Sequence, residues 1–506
     1  MLNLKRRAQG DQGFIMVVTA IVMTLMLLFA GLAVDVGSWN ERGAELKRAA
    51  DAAALAGVVW MPDFNTAQQV ALQTAQKNGF TNGQNNITVS VQQVPNNDRQ
   101  LQVTITDGKA KQWFSKIATG SQSIGRKSTA EYVLPVPLGS PKNTFGTGNL
   151  LGGSDTENFW AAVNGYCAGH ESGDDRLGYY ESYSTASGST ACNNGSAASG
   201  SYDANGYLYA IEMPQAASAL KLEVYDAAFY NSGSSEDDNL ASGNQTITTT
   251  YQIYDRNPTP LDLSNLKLLK TVTLSSDQSP TTYQNTWANF YTWTSPQAGT
   301  YYIRVSTKTG ELNSRGSNGF AVRAYTGSTF ATCSTITGAA NYSASCPQIH
   351  GVDAISIFAN IASTSPSFYL AQVDPVHAGK TMRVTLFDPG EGASSIQILD
   401  PNGNPASFKW STPCNPPTPP SGNGTCSGSG TSINVAGAGN QPCPSLNGTS
   451  TYNDRNLVVD VPLPVNYTQL YGTKVWWKVK YTVGSTTTDR TTWSVNIVGD
   501  PVHLLG

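Results

Sequence analysis

Charge is scarce in this chain. Lys, Arg, Asp and Glu make up 13% of 506 residues, and the net charge is −4. A nucleic-acid binder needs a concentrated basic face, so that class is excluded. Cysteine is missing from the first 166 residues, and the seven present, at 167, 192, 333, 346, 414, 426 and 443, form no C-x-x-C pair. That pattern fits disulfides in an oxidising compartment better than zinc. Only four histidines occur, His170, His350, His377 and His503, none in an HExxH pair. G-x-S-x-G, a Walker A loop and a strand-borne G-x-G-x-x-G are also absent. No catalytic, cofactor-binding or metal-ligating residue is singled out, and no cofactor is expected.

Long apolar runs are equally rare, with one exception. Phe14 to Val34, FIMVVTAIVMTLMLLFAGLAV, holds neither charge nor proline. As a helix it is about 30 Å long, one hydrocarbon thickness. Lys5, Arg6 and Arg7 precede it, which orients that end toward the cytoplasm and the bulk of the chain outward. A secretory signal peptide is the competing reading. The run exceeds a usual h-region, and no good A-x-A site follows, so an uncleaved anchor is expected. Asp35, at the outer edge of the span, is read as an interface carboxylate in reach of water.

From Ser38 to Met61 the pattern stays helical, with Gly37 or Gly43 as sites for a bend and Pro62 as the stop. Its alanine face can pack on this chain's own sheet or on neighbouring subunits; the former is the expectation. A helix at 66–78 closed by Gly79, strands at 87–94 and 101–106, a short helix at 113–117 and a strand at 128–134 complete a small α/β domain.

The basic stub with QGFIMVV, then AGLAVDVGSW, then ELKRAADAAALAG resembles the TadG-like (TadE/G-like) family associated with Flp pilus assembly in bacteria. The resemblance covers about the first 135 residues. It implies a single-pass protein of the bacterial cell membrane, with the lipid bilayer and pilus-assembly proteins as partners. Some members carry a von Willebrand A-type domain with D-x-S-x-S; here Asp262-Leu263-Ser264-Asn265-Leu266 ends in leucine, and that metal site is not carried over. Gly13-Phe14 also resembles a prepilin-type cleavage point. That class places glutamate five residues into the mature chain, where this sequence has Val18, so processing is not expected.

Beyond a Pro/Gly/Ser/Asn-rich linker, two β-rich blocks share one grammar. GYLYAIEMPQAASALKLEVYDAAF (206–229) and SFYLAQVDPVHAGKTMRVTLFDPG (367–390) each run aromatic strand, proline turn, alternating strand, Asp. Later strands are expected at 290–293, 300–305 and 320–324, and at 457–461, 474–483 and 493–498. Duplication of a sandwich is the economical account. AGTYYIRV (298–305) resembles a strand of many bacterial extracellular sandwiches, including prepeptidase-C-terminal-like modules. The expected fold class is α+β: a transmembrane helix with a small α/β domain, then two mainly-β, jelly-roll-like sandwiches. The boundaries are 1–13 cytoplasmic stub, 14–36 span, 37–135 α/β domain, 136–153 linker, 154–330 first sandwich, and 331–506 second sandwich with a Cys-bearing insertion at 412–445. Local disulfides would join Cys167 to Cys192, Cys333 to Cys346, and two of Cys414, Cys426 and Cys443; spacing alone does not fix connectivity, and one thiol is left over.

Cys167 beside His170 can be drawn as a nucleophile and base, though a disulfide partner for Cys167 fits better. Acids at Asp174-Asp175, Glu236-Asp237-Asp238, Asp226, Asp255, Asp388 and Asp400 could meet calcium but read as solvated turn acids. The expected function is a non-enzymatic, membrane-anchored component of a Tad/Flp pilus system, its β domains making protein or surface contacts outside the cytoplasm. The alternative is an adhesin or carbohydrate-binding protein on the same anchor, with Trp287, Trp293, Trp410, Trp476 and Trp477 available to stack on sugars. A sandwich hydrolase ranks last, since nothing fixes a carboxylate spacing.

Overall fold

The computed structural model describes residues 8–61, 64–95, 100–117, 120–132, 136–146, 157–180, 198–225, 246–258, 263–275, 283, 286–328, 330, 346–361, 366–390, 393–413, 425–435, 452, 455–483, 487–498 and 502–505. The chain divides into two compact units. One holds 1–134 with 258–263 and 500–506; the other holds 135–257 and 264–499.

In the first unit the apolar run and the alanine run fuse into a single helix, α1 (Ala8–Val58). No break occurs at Gly37 or Gly43, because alanine and long apolar residues dominate and no proline intervenes before Pro62. From Phe14 to Val36 its large apolar side chains are exposed, and this part is long and apolar enough to cross a membrane. From Leu46 on, the small residues turn inward: Ala49, Ala50, Ala53 and Ala54 are buried. They pack with Ala67, Ala71 and Ala75 of α2 (Phe64–Lys77). Gly79, at φ +91°, ends α2, with Phe80 N–H donating to Ala75 O and Gly79 N–H to Gln76 O, a Schellman closure. Strands β1 (Ile87–Gln93), β2 (Gln100–Ala110) and β3 (Gln122–Tyr132) form an antiparallel sheet. Their alternation puts Val89, Val91, Leu101, Val103 and Ile105 under the helices. The fourth strand of this sheet is the carboxyl-terminal segment Val502–Leu505, paired antiparallel with β3.

Among its described residues the second unit is mainly strand, with short 3-10 turns and a five-residue helix, α3 (Tyr467–Tyr471). Residues 136–146, read from composition as linker, are instead packed: Leu138 and Phe145 are fully buried, and β4 (Thr144–Phe145) pairs with a later strand. Polar composition misleads there because Ser140 and Asn143 spend their hydrogen bonds on local and neighbouring backbone. Residues 147–153 lie outside the described residues.

The first block supplies β5 (Glu157–Asn164), β6 (Tyr207–Met213), β7 (Ala219–Tyr225), β8 (Thr248–Asn257), β9 (Leu268–Ser275), β10 (Trp287–Thr294), β11 (Gly299–Thr307) and β12 (Ser317–Thr326). These fall into two sheets, ordered β10-β7-β12-β5 and β6-β11-β8-β9, the eight-strand order of a jelly roll. After β13 (Gln348–Val352), which adds to the free edge of β6, the second block repeats the plan. Its strands are β14 (Ala354–Ile361), β15 (Ser367–Gln372), β16 (Thr381–Phe387), β17 (Ala393–Leu399), β18 (Phe408–Pro413), β19 (Thr425–Gly430), β20 (Ile433–Asn434), β21 (Asn456–Pro462), β22 (Trp476–Val483) and β23 (Thr487–Val498). They order as β21-β16-β23-β14 and β15-β22-β17-β20, with β18-β19 appended as a hairpin beside β21.

The equivalence is strand for strand, so the shared grammar of the sequence reflects a repeated jelly roll. The equivalent first strands, β5 and β14, pair antiparallel, Trp160 opposite Phe358. That joins one sheet of each jelly roll into a continuous 11-stranded sheet, as a local dyad through this strand pair would produce. One continuous apolar core runs through both blocks, which is why they form one compact unit rather than two separated at residue 330. Most of the insertion at 412–445 lies outside the described residues.

Candidate functional site

Among the described residues, the most unusual polar arrangement of the first unit centres on Asp35. Its side chain has no exposed surface. Oδ1 accepts the backbone N–H of Trp113 at 2.8 Å, and Oδ2 accepts those of Phe114 at 3.0 Å and Ser115 at 2.6 Å. These N–H groups open the 3-10 turn Ser115–Ile117, where turn geometry leaves donors without internal partners. The expectation of a water-reaching carboxylate is thus corrected: three donors from one loop enclose it. The loop touches α1 at two further points. Trp39 Nε1–H donates to Lys111 O at 3.1 Å. The Phe114 ring lies on Gly31, where an added Cβ would stand 2.7 Å from Cγ.

Farther along α1, Arg42 donates to Asp107 Oδ2 and Glu45 Oε2, each at 2.9 Å, and its guanidinium lies 4.8 Å from the Phe80 ring centroid. Arg126 occupies the space beside Gly43, and Leu101, Ala67 and Ala71 crowd Gly57. Glycine and alanine therefore mark where α1 meets its own domain. The alanine face packs on this chain's own helix and sheet, as expected. Trp113 and Phe114 remain 67% and 57% exposed. Sequence reasoning placed a short helix here but missed the docking, since backbone donors have no side-chain signature. The available signal was an aromatic pair flanked by Lys109, Lys111 and Lys116.

In the second unit a polar seam ties the two jelly rolls together. Asp174 is fully buried. Its Oδ1 accepts Tyr207 O–H and the backbone N–H of Arg176 and Leu177, while Oδ2 accepts Asn164 N–H at 2.8 Å. Thr492, from β23, donates to Gly173 O and accepts Asp175 N–H, each at 3.0 Å. Arg176 pairs with Asp353. His170 Nε2 stands 2.9 Å from Asp175 Oδ1, with its ring 4.2 Å from that of Phe387. Cys167 and Cys346 are buried, and among the described residues no cysteine is a free thiol, so Cys167 offers His170 no nucleophile. His350, buried on β13, sits 3.7 Å from Glu212, and burial pushes its pKa down.

The acids considered for calcium are dispersed. Asp255 pairs with Lys267 at 2.8 Å, and Asp400 accepts the N–H groups of Asn402 and Asn404 in its own turn. Asp388 is buried at the end of β16. Asp226 and Glu236-Asp237-Asp238 lie outside the described residues. Among the described residues no group of three His, Cys, Asp or Glu side chains is arranged to hold a metal. The tryptophans considered for sugar stacking are mostly interior: Trp293, Trp476 and Trp477 are buried. Trp287 is half-buried beneath Arg323, whose guanidinium is 4.1 Å from the ring, and Trp410 lies on Gly428.

Residues 13–69, from the apolar half of α1 into α2, match the family described as "Putative Flp pilus-assembly TadE/G-like". No curated protein matches the chain. Among solved structures, one similar chain is the N-terminal CBM22-1–CBM22-2 tandem domain of Paenibacillus barcinonensis Xyn10C. It has 9% identity, covering 83% of this chain and 92% of that one, with a TM-score of 0.16. Another is the M60 catalytic domain with CBM51-1 and CBM51-2 of Clostridium perfringens ZmpB, at 8% identity, 80% and 43% coverage and a TM-score of 0.14.

Proposed function

We propose that this protein is a non-enzymatic, single-pass component of a bacterial Tad/Flp pilus-assembly system. The observation that carries the reading is the family match over residues 13–69. That segment holds the exposed apolar span, Asp35 and the alanine face. The span lies in the inner membrane, with Lys5, Arg6 and Arg7 on the cytoplasmic side. The paired jelly rolls stand outside the cytoplasm, where they contact other assembly proteins or a surface. Disulfides staple their loops: Cys167 with Cys192, Cys333 with Cys346, and two of the three cysteines in the insertion.

Deletion of the gene in its own host, with pili counted by electron microscopy and surface attachment measured, tests the role. Loss of pili restored by the full chain, but not by a chain lacking residues 14–36, is the expected result. Unchanged piliation and attachment in the deletion strain overturns the proposal.

A further inference from the structure

We propose that the loop from Lys111 to Lys116 is a second membrane contact, an aromatic wedge seated in the outer interface of the bilayer that α1 crosses. The inference rests on the reading of α1 as a span. It begins with distance along the helix. From Phe14, a helix crosses a hydrocarbon layer of about 30 Å in roughly 20 residues, which brings the outer boundary close to Asp35. The loop is fixed at that level, because its three backbone N–H groups end on the Asp35 carboxylate. The Phe114 ring lies on Gly31, one turn farther toward the membrane.

Two large aromatic side chains are thus held beside the apolar half of α1 and still left exposed, Trp113 by 67% and Phe114 by 57%. The Phe114 ring adjoins the exposed surface of the span at Gly31, and Trp113, next to it in the chain, is tied to α1 by its backbone N–H on Asp35. Lys109, Lys111 and Lys116 are exposed around them. An apolar tip flanked along the chain by exposed lysines matches the acyl boundary below and the headgroup phosphates above. Tryptophan suits that zone because its ring is apolar and its N–H can stay wet. A protein partner would also cover aromatics, but the loop's depth against the span places lipid there first.

The same latch explains why a carboxylate is kept at the end of an apolar span. Asp35 satisfies backbone donors that would otherwise be carried, unpaired, to the edge of the hydrocarbon. The wedge then fixes how far α1 rises from the bilayer and in which direction the first unit leans.

The test uses the full chain reconstituted in phosphatidylcholine–phosphatidylglycerol vesicles. Bromine is carried either near the headgroup or near the acyl end. Tryptophan emission is compared between the wild type and Trp113→Phe, which keeps the ring and the backbone latch. The expected result is strong quenching by the shallow bromines, much of it lost in Trp113→Phe, with weaker quenching by the deep ones. Retention of the protein after alkaline extraction reports on the span separately. Equal quenching of both proteins, with retention intact, overturns the wedge and leaves the anchor standing. Release by alkaline extraction removes the anchor and the wedge together.

Discussion

Asp35 and Ser115 are 80 residues apart in the chain, yet the Asp35 carboxylate accepts the Ser115 backbone N–H at 2.6 Å. Trp113 and Phe114 N–H complete the set, so one side chain fixes a whole turn against α1. Replacing Asp35 by alanine orphans three donors. The loss of docking free energy is on the order of 3 kcal/mol, so amides 113–115 exchange with solvent roughly 100-fold faster. Asp35→Asn, which turns an NH2 toward one donor, falls between. Hydrogen exchange in detergent or nanodiscs reads both; unchanged protection at these amides would show that the latch is not what holds the loop.

Gly57 is a tight contact of α1 with α2 and β2. A Cβ there would stand 2.6 Å from Leu101 Cδ2 and 2.8 Å from the backbone oxygen of Ala67. Backbone cannot yield as a side-chain tip can, so Gly57→Val forces the helices apart. A loss of about 2–3 kcal/mol is expected. Trypsin cleavage within residues 37–132 should quicken while cleavage of the second unit keeps its rate.

The carboxyl-terminal strand gives a third outcome. Val502 pairs with Tyr132 and Leu504 with Ala130, which covers the outer edge of β3. Deleting residues 501–506 bares that edge and removes the ladder. The first unit should melt earlier, by about 2 kcal/mol, and the protein should self-associate more readily. Calorimetry with size-exclusion chromatography measures both effects.

How much of this was legible in the sequence depended on periodicity. In β16 and β21, Met382, Val384, Leu386, Leu457, Val459 and Val461 alternate with outward neighbours, so strands and the repeat could be read. Two blocks with one grammar then point to a duplicated sandwich, while the order of its strands comes from the pairing alone. What periodicity cannot carry is edge choice. The β5–β14 pairing that fuses the sheets uses Trp160 and Phe358, whose residue types also suit an interior strand. Val502–Leu505 is too short for a period to register, and a four-residue tail is read as an end rather than as the fourth strand of a distant sheet. Asp35 was legible as an acid at the edge of a span, but its partners are backbone groups on a loop far along the chain. The linker at 136–146 failed for a related reason: Ser140 and Asn143 look solvent-seeking until their backbone partners are known.

His350 makes stability depend on pH. Burial pushes its pKa below the ordinary value of about 6.5, against the weaker pull of Glu212. Among the described residues Nδ1 has no hydrogen-bond partner, so a charge placed there is offset only by Glu212 across 3.7 Å. A folded-state pKa below the unfolded one means that the unfolded chain binds the proton more readily. Stability is therefore full above about pH 6.5 and falls as pH drops below it, by up to about 1.4 kcal/mol per pH unit from this one group. His350→Gln should flatten that limb of the melting temperature between about pH 6.5 and pH 5. An unchanged slope would assign the acid sensitivity to other groups.

Asp174 sets the sharpest test of the buried network on the first jelly roll's side of the seam. Oδ1 accepts Tyr207 O–H and the N–H groups of Arg176 and Leu177; Oδ2 accepts Asn164 N–H. Every partner donates, so the site needs two acceptor oxygens. In Asp174→Asn the amide NH2 must face either Asn164 N–H or the three donors on the other side. The first orientation sacrifices one bond, the second three, so asparagine settles toward Asn164 and strands that N–H. A loss of about 2–3 kcal/mol is expected. Tyr207→Phe removes a single donor and leaves the carboxylate three partners, so its effect should be smaller, about 1 kcal/mol. The double variant should lose less than the sum, because the two groups share one bond. Denaturant melts of the four proteins decide the matter: strictly additive losses would mean that Tyr207 and Asp174 act independently and that the seam is not one network.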